Sequence, residues 1–256
     1  MQPVELDAYL ARIGLSKRPG ADLAGLRALQ RAHRRAIPFE NLDVRLGRAI
    51  SLDADALFAK LVTQRRGGYC FEQNGLFVPA LAALGFTARP LLARVWLFAT
   101  EVPPRTHTFA LVTLADGDWI ADAGFGGGDT PPMPLAEGSE ATAGGATYQL
   151  ARDPGFGWML TRNGDRQYSF TEERVWPADL ALANHWTSSA PESRFRNAWI
   201  ASIIAEEGLC SLNGPRLSHA GAETELDAAA YREALASRFG IALSDEEVAG
   251  LGLFPG

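Results

Sequence analysis

The spacing of the apolar residues changes near Thr87, and this change limits which folds are open to the chain. Before Thr87 the apolar residues recur every three to four positions, as they do along one side of a helix. Residues 21–36 show the pattern with Leu23, Leu26 and Leu29, and their basic residues are crowded late, which suits a helix C-terminus. After Thr87 come short apolar and aromatic runs separated by turn residues, which are typical of antiparallel strands. The sequence therefore predicts a helical part followed by a β part.

Two more helices are predicted in the helical part. One begins at Ser51 or Asp53, since either side chain suits an N-cap. The other covers residues 70–84 and is closed by Gly85. Pro79 lies inside this second helix and is expected to kink or shorten it.

The middle of the chain, residues 87–168, is predicted to be antiparallel β structure. Hairpin turns are expected at residues 116–118 and at Asn163 and Gly164. Residues 124–146 are rich in Gly and Pro and are expected to form one long loop. A loop of this length inside a compact domain is more often functional than idle.

The last part of the chain is predicted to mix strands and helices. Residues 196–220 contain two strand-like runs. A helix is expected between Asp227 as its N-cap and Gly240 at its C-terminal end. Ser244 and Glu247 form a capping box, which predicts the start of a final helix.

Charge and composition argue against several classes of protein. The net charge of −6 disfavours broad binding to nucleic acid or to an anionic membrane, but a local pocket for a small anion stays open. The first residues do not have the pattern of a signal peptide, and no apolar run approaches the roughly 18 residues of a membrane span. Two cysteines are too few for a disulfide framework, so we expect a reduced, cytoplasmic setting.

Cys70 stands where a loop is expected to enter a helix, directly after the run Arg-Arg-Gly-Gly-Tyr. A cysteine reacts as its thiolate, and a free cysteine has a pKa of about 8.5. The positive end of the helix dipole would favour a negative sulfur in the first turn. The charge of Arg65 or Arg66 would help if either side chain pointed inward, and so would an imidazole in contact with the sulfur.

His107 is the best candidate for that imidazole among the four histidines of the chain. It stands at the start of a predicted strand after a Pro-containing loop, where a side chain is both well held and accessible. Asp122, at the end of the next strand, could orient the ring through its other nitrogen. The two residues are not directly opposite in the predicted hairpin. A bulge, a stagger or the start of the following loop must therefore bring them together.

These residue types also have ordinary structural interpretations. A cysteine among apolar residues is usually a small core residue, and this is our interpretation of Cys210. A histidine at a strand start is often a surface residue, and an aspartate before glycines often forms a turn. A metal site is not expected, because close ligand pairs such as CxxC or HxxxH are absent, and nucleotide-binding glycine motifs are absent too.

Five segments together resemble the arylamine N-acetyltransferase family. RRGGYCFEQN (65–74) is similar to its cysteine motif, THTFALV (106–112) to its histidine strand and ADAGFGG (121–127) to its aspartate motif. IPFENLD (37–43) and NHWTSSAPESRF (184–195) are two further markers. They occur in the family's order, and the length of the chain fits as well.

The resemblance implies an α+β fold with a papain-like, cysteine-protease-type core in three parts. Residues 1–86 would form a helical bundle that carries the cysteine, residues 87–190 an antiparallel β-barrel that carries the histidine and the aspartate, and residues 191–256 a C-terminal α/β lid.

The resemblance also implies a catalytic triad and a set of binding residues. The triad positions fall on Cys70, His107 and Asp122. An acceptor pocket is expected to be lined by the aromatic residues Phe39, Trp96, Phe125 and Phe195. Coenzyme A is expected to be held near Thr106, Gly126 and Gly127.

The implied reaction is a ping-pong transfer from acetyl-CoA, through an acetyl-cysteine, to an arylamine, arylhydrazine or N-hydroxyarylamine. Acetyl-CoA would be a co-substrate, with no permanently bound cofactor, and a homodimer is left open. One alternative is an amide synthase or transglutaminase-like amidase that uses the same triad on another acyl donor. A second alternative, of a different class, is a non-catalytic thiol or ligand-binding protein.

Overall fold

The computed structural model describes residues 1–254 of the chain. Its helices are α1 (Pro3–Arg12), α2 (Leu23–Ala36), α3 (Leu42–Arg45), α4 (Ala54–Phe58), which continues into a π-helical turn (Ala59–Thr63), α5 (Cys70–Ala83), α6 (Pro177–Ser189), α7 (Arg194–Asn197), α8 (Ala228–Phe239) and α9 (Asp245–Gly250). Its strands are β1 (Phe39–Glu40), β2 (Thr87–Val95), β3 (Arg105–Leu114), β4 (Gly117–Ala121), β5 (Met133–Pro134), β6 (Ser139–Ala143), β7 (Ala146–Asp153), β8 (Gly157–Arg162), β9 (Asp165–Phe170), β10 (Ile200–Ala205), β11 (Gly208–Asn213), β12 (Arg216–His219) and β13 (Ala222–Glu225). Residues 255 and 256, the end of the predicted lid, lie outside the described range.

The strands form two antiparallel sheets. Eight of them pair in the order β5-β4-β3-β2-β9-β8-β7-β6, and the edge strands β5 and β6 contact each other, so this sheet is a nearly closed barrel. The second sheet has the order β1-β10-β11-β12-β13. The predicted α+β class is confirmed. Within the described range, no helix combines the length and the apolar character that a membrane crossing requires.

The second predicted hairpin is confirmed, and the first one is shifted. Asn163 and Gly164 have φ angles of +51° and +87° and connect β8 to β9, as a two-residue turn requires. In the other hairpin Leu114 pairs with Gly117, so the turn lies at residues 115–116 rather than 116–118. Gly117, with a φ of +127°, already begins β4.

Residues 124–146 do not form the single long loop that was expected. They contain β5 and β6, and β6 pairs with β7 through a turn at Gly144 and Gly145. The residues of β6 read Ser-Glu-Ala-Thr-Ala and carry little of the β-branched and aromatic character that marks a strand. Pairing with β7, rather than local propensity, makes this segment extended.

The helical part follows the predicted caps but differs in two places. The Asp53 side chain caps α4 by accepting from the N–H groups of residues 55 and 56. Pro79 does not shorten α5, which continues to Ala83; nine residues of this helix are buried, and their packing outweighs one missing backbone hydrogen bond. Phe39 and Glu40 are not helical, because they pair with β10 as the edge of the second sheet.

The C-terminal helices begin and end as predicted. The Asp227 side chain caps α8, and Gly240 ends the helix with a left-handed φ of +67°. The capping box of Ser244 and Glu247 starts α9. These local signals were sufficient because each depends on only a few neighbouring residues.

The core joins the helical part to the barrel. Leu29 of α2 and Phe77 of α5 lie in one buried cluster with Val112 of β3 and Ala121 of β4. This packing brings the N-terminal end of α5 towards β3 and β4, which carry the other site residues. The division of the chain at residues 86 and 190 stays a prediction.

Asn41→Ala should destabilise the junction between the N-terminal part and the second sheet. The buried Asn41 amide donates to the carbonyls of Phe195 and Ala198 at 2.8 and 2.7 Å, and its oxygen accepts from the Ile200 N–H at 2.8 Å. Removing it leaves these groups unpaired, so we expect a loss of about 3 kcal/mol in the free energy of unfolding, measured by urea denaturation. The exposed Asn213→Ala is the control. If Asn41→Ala lost no more unfolding free energy than Asn213→Ala, the proposed role of Asn41 in stabilising this junction would be contradicted.

Candidate active site

Cys70 is the first residue of α5 and lies almost entirely inside the protein, with 3% of its surface exposed. The preceding N–H, that of Tyr69, donates to Glu72 Oε2 at 3.0 Å and so caps the helix. Within residues 1–254 the Cys70 backbone N–H has no acceptor, as is usual for the first turn of a helix. The Cys70 sulfur lies 3.6 Å from the carbonyl oxygen of Thr106, at the start of β3.

The Arg66 guanidinium faces carboxylates rather than the Cys70 sulfur. It contacts Glu40 at 2.9 Å and Asp43 at 3.2 Å, and Lys60 joins the same cluster through Asp43 and Glu72, each at 2.6 Å. The charge of Arg66 is thus committed to an ionic cluster beneath the loop that enters α5. The condition under which the charge of Arg66 would help the sulfur, an inward-pointing side chain, is therefore not met.

A buried hydrogen-bond chain also holds the loop that enters α5. Tyr9 Oη lies 2.8 Å from His33 Nδ1, and His33 Nε2 lies 2.6 Å from the Gln73 amide oxygen. The Gln73 amide nitrogen in turn donates to the carbonyls of Pro38 and Gly68 at 2.8 and 3.1 Å. Burial lowers the pKa of His33 to about 4, so this ring is neutral and its Nε2 carries the proton.

His107 and Asp122 meet because β3 extends beyond the end of β4. The last pair of the β3–β4 ladder is Ala110 with Ala121, and His107 lies opposite Ala93 of β2 instead. Asp122 directly follows β4 and reaches back, so that its Oδ2 lies 2.7 Å from His107 Nε2. Of the routes left open by the sequence, the structure uses both the stagger of the two strands and the start of the loop that follows β4.

Asp122 is enclosed by hydrogen-bond donors from three directions. Its Oδ1 accepts from the Gly124 N–H at 2.9 Å and from the Asn74 amide at 3.3 Å. A methyl group at Gly124 would lie 2.5 Å from Asn74 Nδ2, so only glycine permits this close approach. Burial opposes the charged carboxylate, but His107, the Gly124 N–H and Arg34 outweigh burial and hold the pKa of Asp122 below its ordinary value.

His107 carries the positive charge of the pair. Burial opposes the imidazolium, but the charge and hydrogen bond of Asp122, together with the Cys70 sulfur, raise the pKa of His107 to about 10. Since a carboxylate only accepts, Nε2 carries a proton and Nδ1 is left for the sulfur. The arrangement can therefore hold the sulfur's proton on the ring, which is what a nucleophilic cysteine requires.

Three of the four predicted aromatic residues lie around these groups. The ring of Phe125 is 5.2 Å from that of His107, measured between centroids. Phe39 belongs to the same apolar cluster as Cys70, and Phe195 packs against Phe39 at 5.9 Å. The described contacts of Trp96 lie within the barrel, where its ring packs against residue 156 at 4.8 Å and its indole N–H donates to residue 169.

The residues predicted to lie near coenzyme A fall on both sides of the site. The Thr106 carbonyl contacts the sulfur, as given above. Gly126 lies against the Phe39 ring, where a methyl group would come within 2.5 Å, and its carbonyl accepts from Ser202 at 2.8 Å. Gly127 faces Leu97.

Several residues that shape the site were missed by the sequence analysis. Asn74 had a usable signal, because it stands four positions after Cys70 and so lies on the same side of α5. Tyr168 of β9 packs its ring 5.1 Å from His107. Gln30 and Arg34 of α2 reach the segment after Asp122. Across the described range no three His, Cys, Asp or Glu side chains are grouped so that they could hold a metal ion.

Comparison with known proteins gives consistent results along nearly the whole chain. Residues 22–248 match the sequence profile of a family described as N-acetyltransferase. The arylamine N-acetyltransferase of Mycolicibacterium smegmatis is 38% identical over 267 aligned positions, which cover 94% of this chain and 94% of that protein. The structure of the enzyme of that name from Salmonella typhimurium superposes with a TM-score of 0.92 at 33% identity and covers 99% of this chain and 100% of that chain. The Mycobacterium marinum arylamine N-acetyltransferase, solved in complex with CoA, gives a TM-score of 0.89 at 35% identity, with 96% and 98% covered.

His107→Gln should change how stability depends on pH. The pKa of His107 is raised from 6.5 to about 10, so its protonated form stabilises the fold fully below pH 6.5, and this stabilisation is lost as the pH rises towards 10. We expect the wild-type free energy of unfolding to fall more steeply than that of His107→Gln between pH 6.5 and 10, measured by urea denaturation. His185→Gln, on the exposed side of α6, should keep the wild-type slope. Equal slopes for wild type and His107→Gln would rule out the raised pKa.

Proposed function

The chain belongs to the arylamine N-acetyltransferase family, and from this membership we propose that it carries the acetyl group of acetyl-CoA to an arylamine through a thioester on Cys70. It is an acyltransferase, and acetyl-CoA is its co-substrate. The observation that supports the roles of the residues is the buried chain from Cys70 through His107 to Asp122.

In the first half-reaction the sulfur attacks the donor. His107 holds the proton of Cys70, and Asp122 stabilises the resulting imidazolium. The thiolate adds to the thioester carbon of acetyl-CoA and forms a tetrahedral intermediate. The intermediate collapses by breaking the bond to the coenzyme A sulfur, which takes the proton from His107. An acetyl-Cys70 thioester remains.

In the second half-reaction the acceptor amine attacks the acetyl carbon of this thioester. His107, now neutral, takes the proton of the amine nitrogen. Collapse of the second tetrahedral intermediate releases the acetylated amine and restores the thiolate of Cys70 beside the imidazolium of His107. Donor and acceptor use the same sulfur in turn, so the kinetics are ping-pong.

The negative oxygen of each tetrahedral intermediate needs hydrogen-bond donors. The Cys70 backbone N–H supports this role, because it lies at the N-terminus of α5 and has no acceptor within residues 1–254. It also lies at the positive end of the helix dipole.

The aromatic residues favour a flat acceptor. Phe125 packs against the imidazole, Phe39 lies in the apolar cluster of the sulfur, and Phe195 packs on Phe39. Aromatic rings pack well against such side chains. We assign the acceptor pocket to these three and keep Trp96 as a more distant member. Thr106, Gly126 and Gly127 are assigned to the path of coenzyme A. Arylhydrazines and N-hydroxyarylamines are further acceptors on the same grounds.

The cytoplasmic location remains a prediction from the sequence, and the oligomeric state, for which the sequence left a homodimer open, is not assigned. The alternative reaction, in which the same triad takes another acyl donor, differs from the proposed one in what becomes attached to Cys70.

Incubation with acetyl-CoA alone should acetylate Cys70. We expect an added mass of about 42 Da on the peptide that contains Cys70, and a burst of free coenzyme A before any amine is supplied. Cys70→Ala should lose both and should lower acetyl transfer by at least about 1,000-fold. Cys210→Ser is the matched control, because Cys210 is buried in a separate apolar cluster. An unmodified Cys70 together with full turnover would disprove the covalent route, and modification only by another acyl donor would favour the alternative enzyme.

Anilines should be acetylated far faster than alkylamines at pH 7. An alkylammonium ion titrates near the lysine pKa of about 10.4, so less than about one molecule in 1,000 is a free base at neutral pH. We expect rates for aniline and benzylamine to differ by at least about 100-fold, since both carry a flat ring but only aniline is unprotonated. The measurement is coenzyme A release with each amine. Equal rates at pH 7 would refute this basis for acceptor choice.

A further inference from the structure

Arg34 of α2 is buried, with 6% of its surface exposed, and its guanidinium points at the segment that follows Asp122. Its Nη1 donates to the Phe125 carbonyl at 2.5 Å, and its Nη2 donates to the Gly128 carbonyl. One helical turn earlier, Gln30 donates to the Thr130 carbonyl at 2.6 Å and accepts from the Asp122 N–H at 2.8 Å. Two side chains on one face of α2 thus hold this segment along its length. We call residues 122–130 the Asp122 loop.

The charge of Arg34 is not needed for these hydrogen bonds. Gln30, which is neutral, makes the same kind of contact. In the part of the chain that the structure describes, Arg34 has no carboxylate within 4.0 Å, and both groups that it contacts are neutral carbonyls. A buried cation without a direct partner is costly, and burial does lower the pKa of Arg34. Arg34 differs from an amide in its planar fork, whose N–H groups reach the carbonyls of residues 125 and 128 at the same time.

The Asp122 loop carries two groups that belong to the site. Asp122 bonds to His107, and Phe125 packs its ring against the same imidazole. The Arg34 contact to the Phe125 carbonyl therefore acts on the ring position as well as on the loop. Because both residues lie on one short segment, a shift of that segment would move the carboxylate and the aromatic wall together.

We propose that Arg34 is a positioning residue for acetyl transfer: its two hydrogen bonds set the Asp122 loop so that the Asp122 carboxylate meets His107 and Phe125 lines the acceptor pocket. This inference rests on the proposed function of Cys70. Of the titratable groups that face Arg34, Asp122 and Asp129 lie on the loop. The others are Tyr148 of β7, Tyr168 of β9 and, on its own helix, His33. Among these, only Asp122 is bonded to the imidazole of the site.

The test compares three variants by two measurements. Arg34→Gln removes the charge and keeps an amide donor. Arg34→Lys keeps the charge but loses the fork that reaches two carbonyls. Arg35→Gln is the control, because it removes an exposed charge from the next position of the same helix. The first measurement is the pH dependence of Cys70 alkylation by iodoacetamide, resolved by peptide mass, which needs neither donor nor acceptor. The second is steady-state acetylation of aniline.

In both Arg34 variants the acid limb of Cys70 alkylation should move to higher pH, because a displaced Asp122 stabilises the protonated ring of His107 less. The limb should stay in place in Arg35→Gln. The KM for aniline should rise by about fivefold or more in both Arg34 variants, because each loosens the loop, while Arg35→Gln keeps the wild-type KM.

Alkylation profiles of both Arg34 variants identical to that of Arg35→Gln would overturn the effect on Asp122, and an unchanged KM in Arg34→Lys would overturn the effect on Phe125. If circular dichroism shows that Arg34→Gln does not fold, Arg34→Lys decides: a raised KM with a shifted alkylation limb supports the inference, and a wild-type KM overturns it. If wild-type protein alkylates normally but transfers no acetyl group, the proposed function fails, and the alkylation result still decides the role of Arg34.

Discussion

The buried bond between His107 and Asp122 is the interaction on which the site depends. Each partner alone would be disfavoured as an ion inside the protein, because burial opposes both charges. Together they reverse that preference, so the imidazole holds a proton at neutral pH. Loss of His107 would leave the Asp122 carboxylate without its positively charged partner, and loss of Asp122 would leave a buried imidazole that is disfavoured as a cation. The pair is therefore both a structural and a chemical unit.

The fold assembles this unit at the contact between a helix end and a barrel edge. Cys70 comes from the first turn of α5. His107 lies in β3, which extends beyond the end of β4, and Asp122 directly follows β4. Gly124 allows the barrel segment to approach α5 closely enough for Asn74 to contact Asp122. The Cys70 sulfur and the His107–Asp122 pair thus belong to different layers of the protein, and the core that packs α5 on β3 fixes the distance between them.

Local chemistry could be predicted from the sequence, and distant pairing could not. The cap at Asp53 and the turn at Asn163 each depend on a few adjacent residues, and both were correct. Strand β6 was missed because its own composition is weak and its partner β7 makes it extended. The same limit applied to the site. The motifs singled out Cys70, but Arg34 stands among other basic residues near a helix C-terminus, where a solvated face is the natural interpretation, and only the tertiary fold turns it inward.

In the proposed reaction, the near-complete enclosure of Cys70 bears on the lifetime of an acetyl group on its sulfur. A thioester exposed to bulk solvent is open to hydrolysis, which would waste the donor. Cys70 lies in an apolar cluster with Phe39, and Phe125 packs beside His107, so the proposed thioester would be shielded from bulk water. An acetylated enzyme of this kind would persist until an amine arrives, so that turnover would follow the supply of acceptor rather than loss of the acetyl group to water.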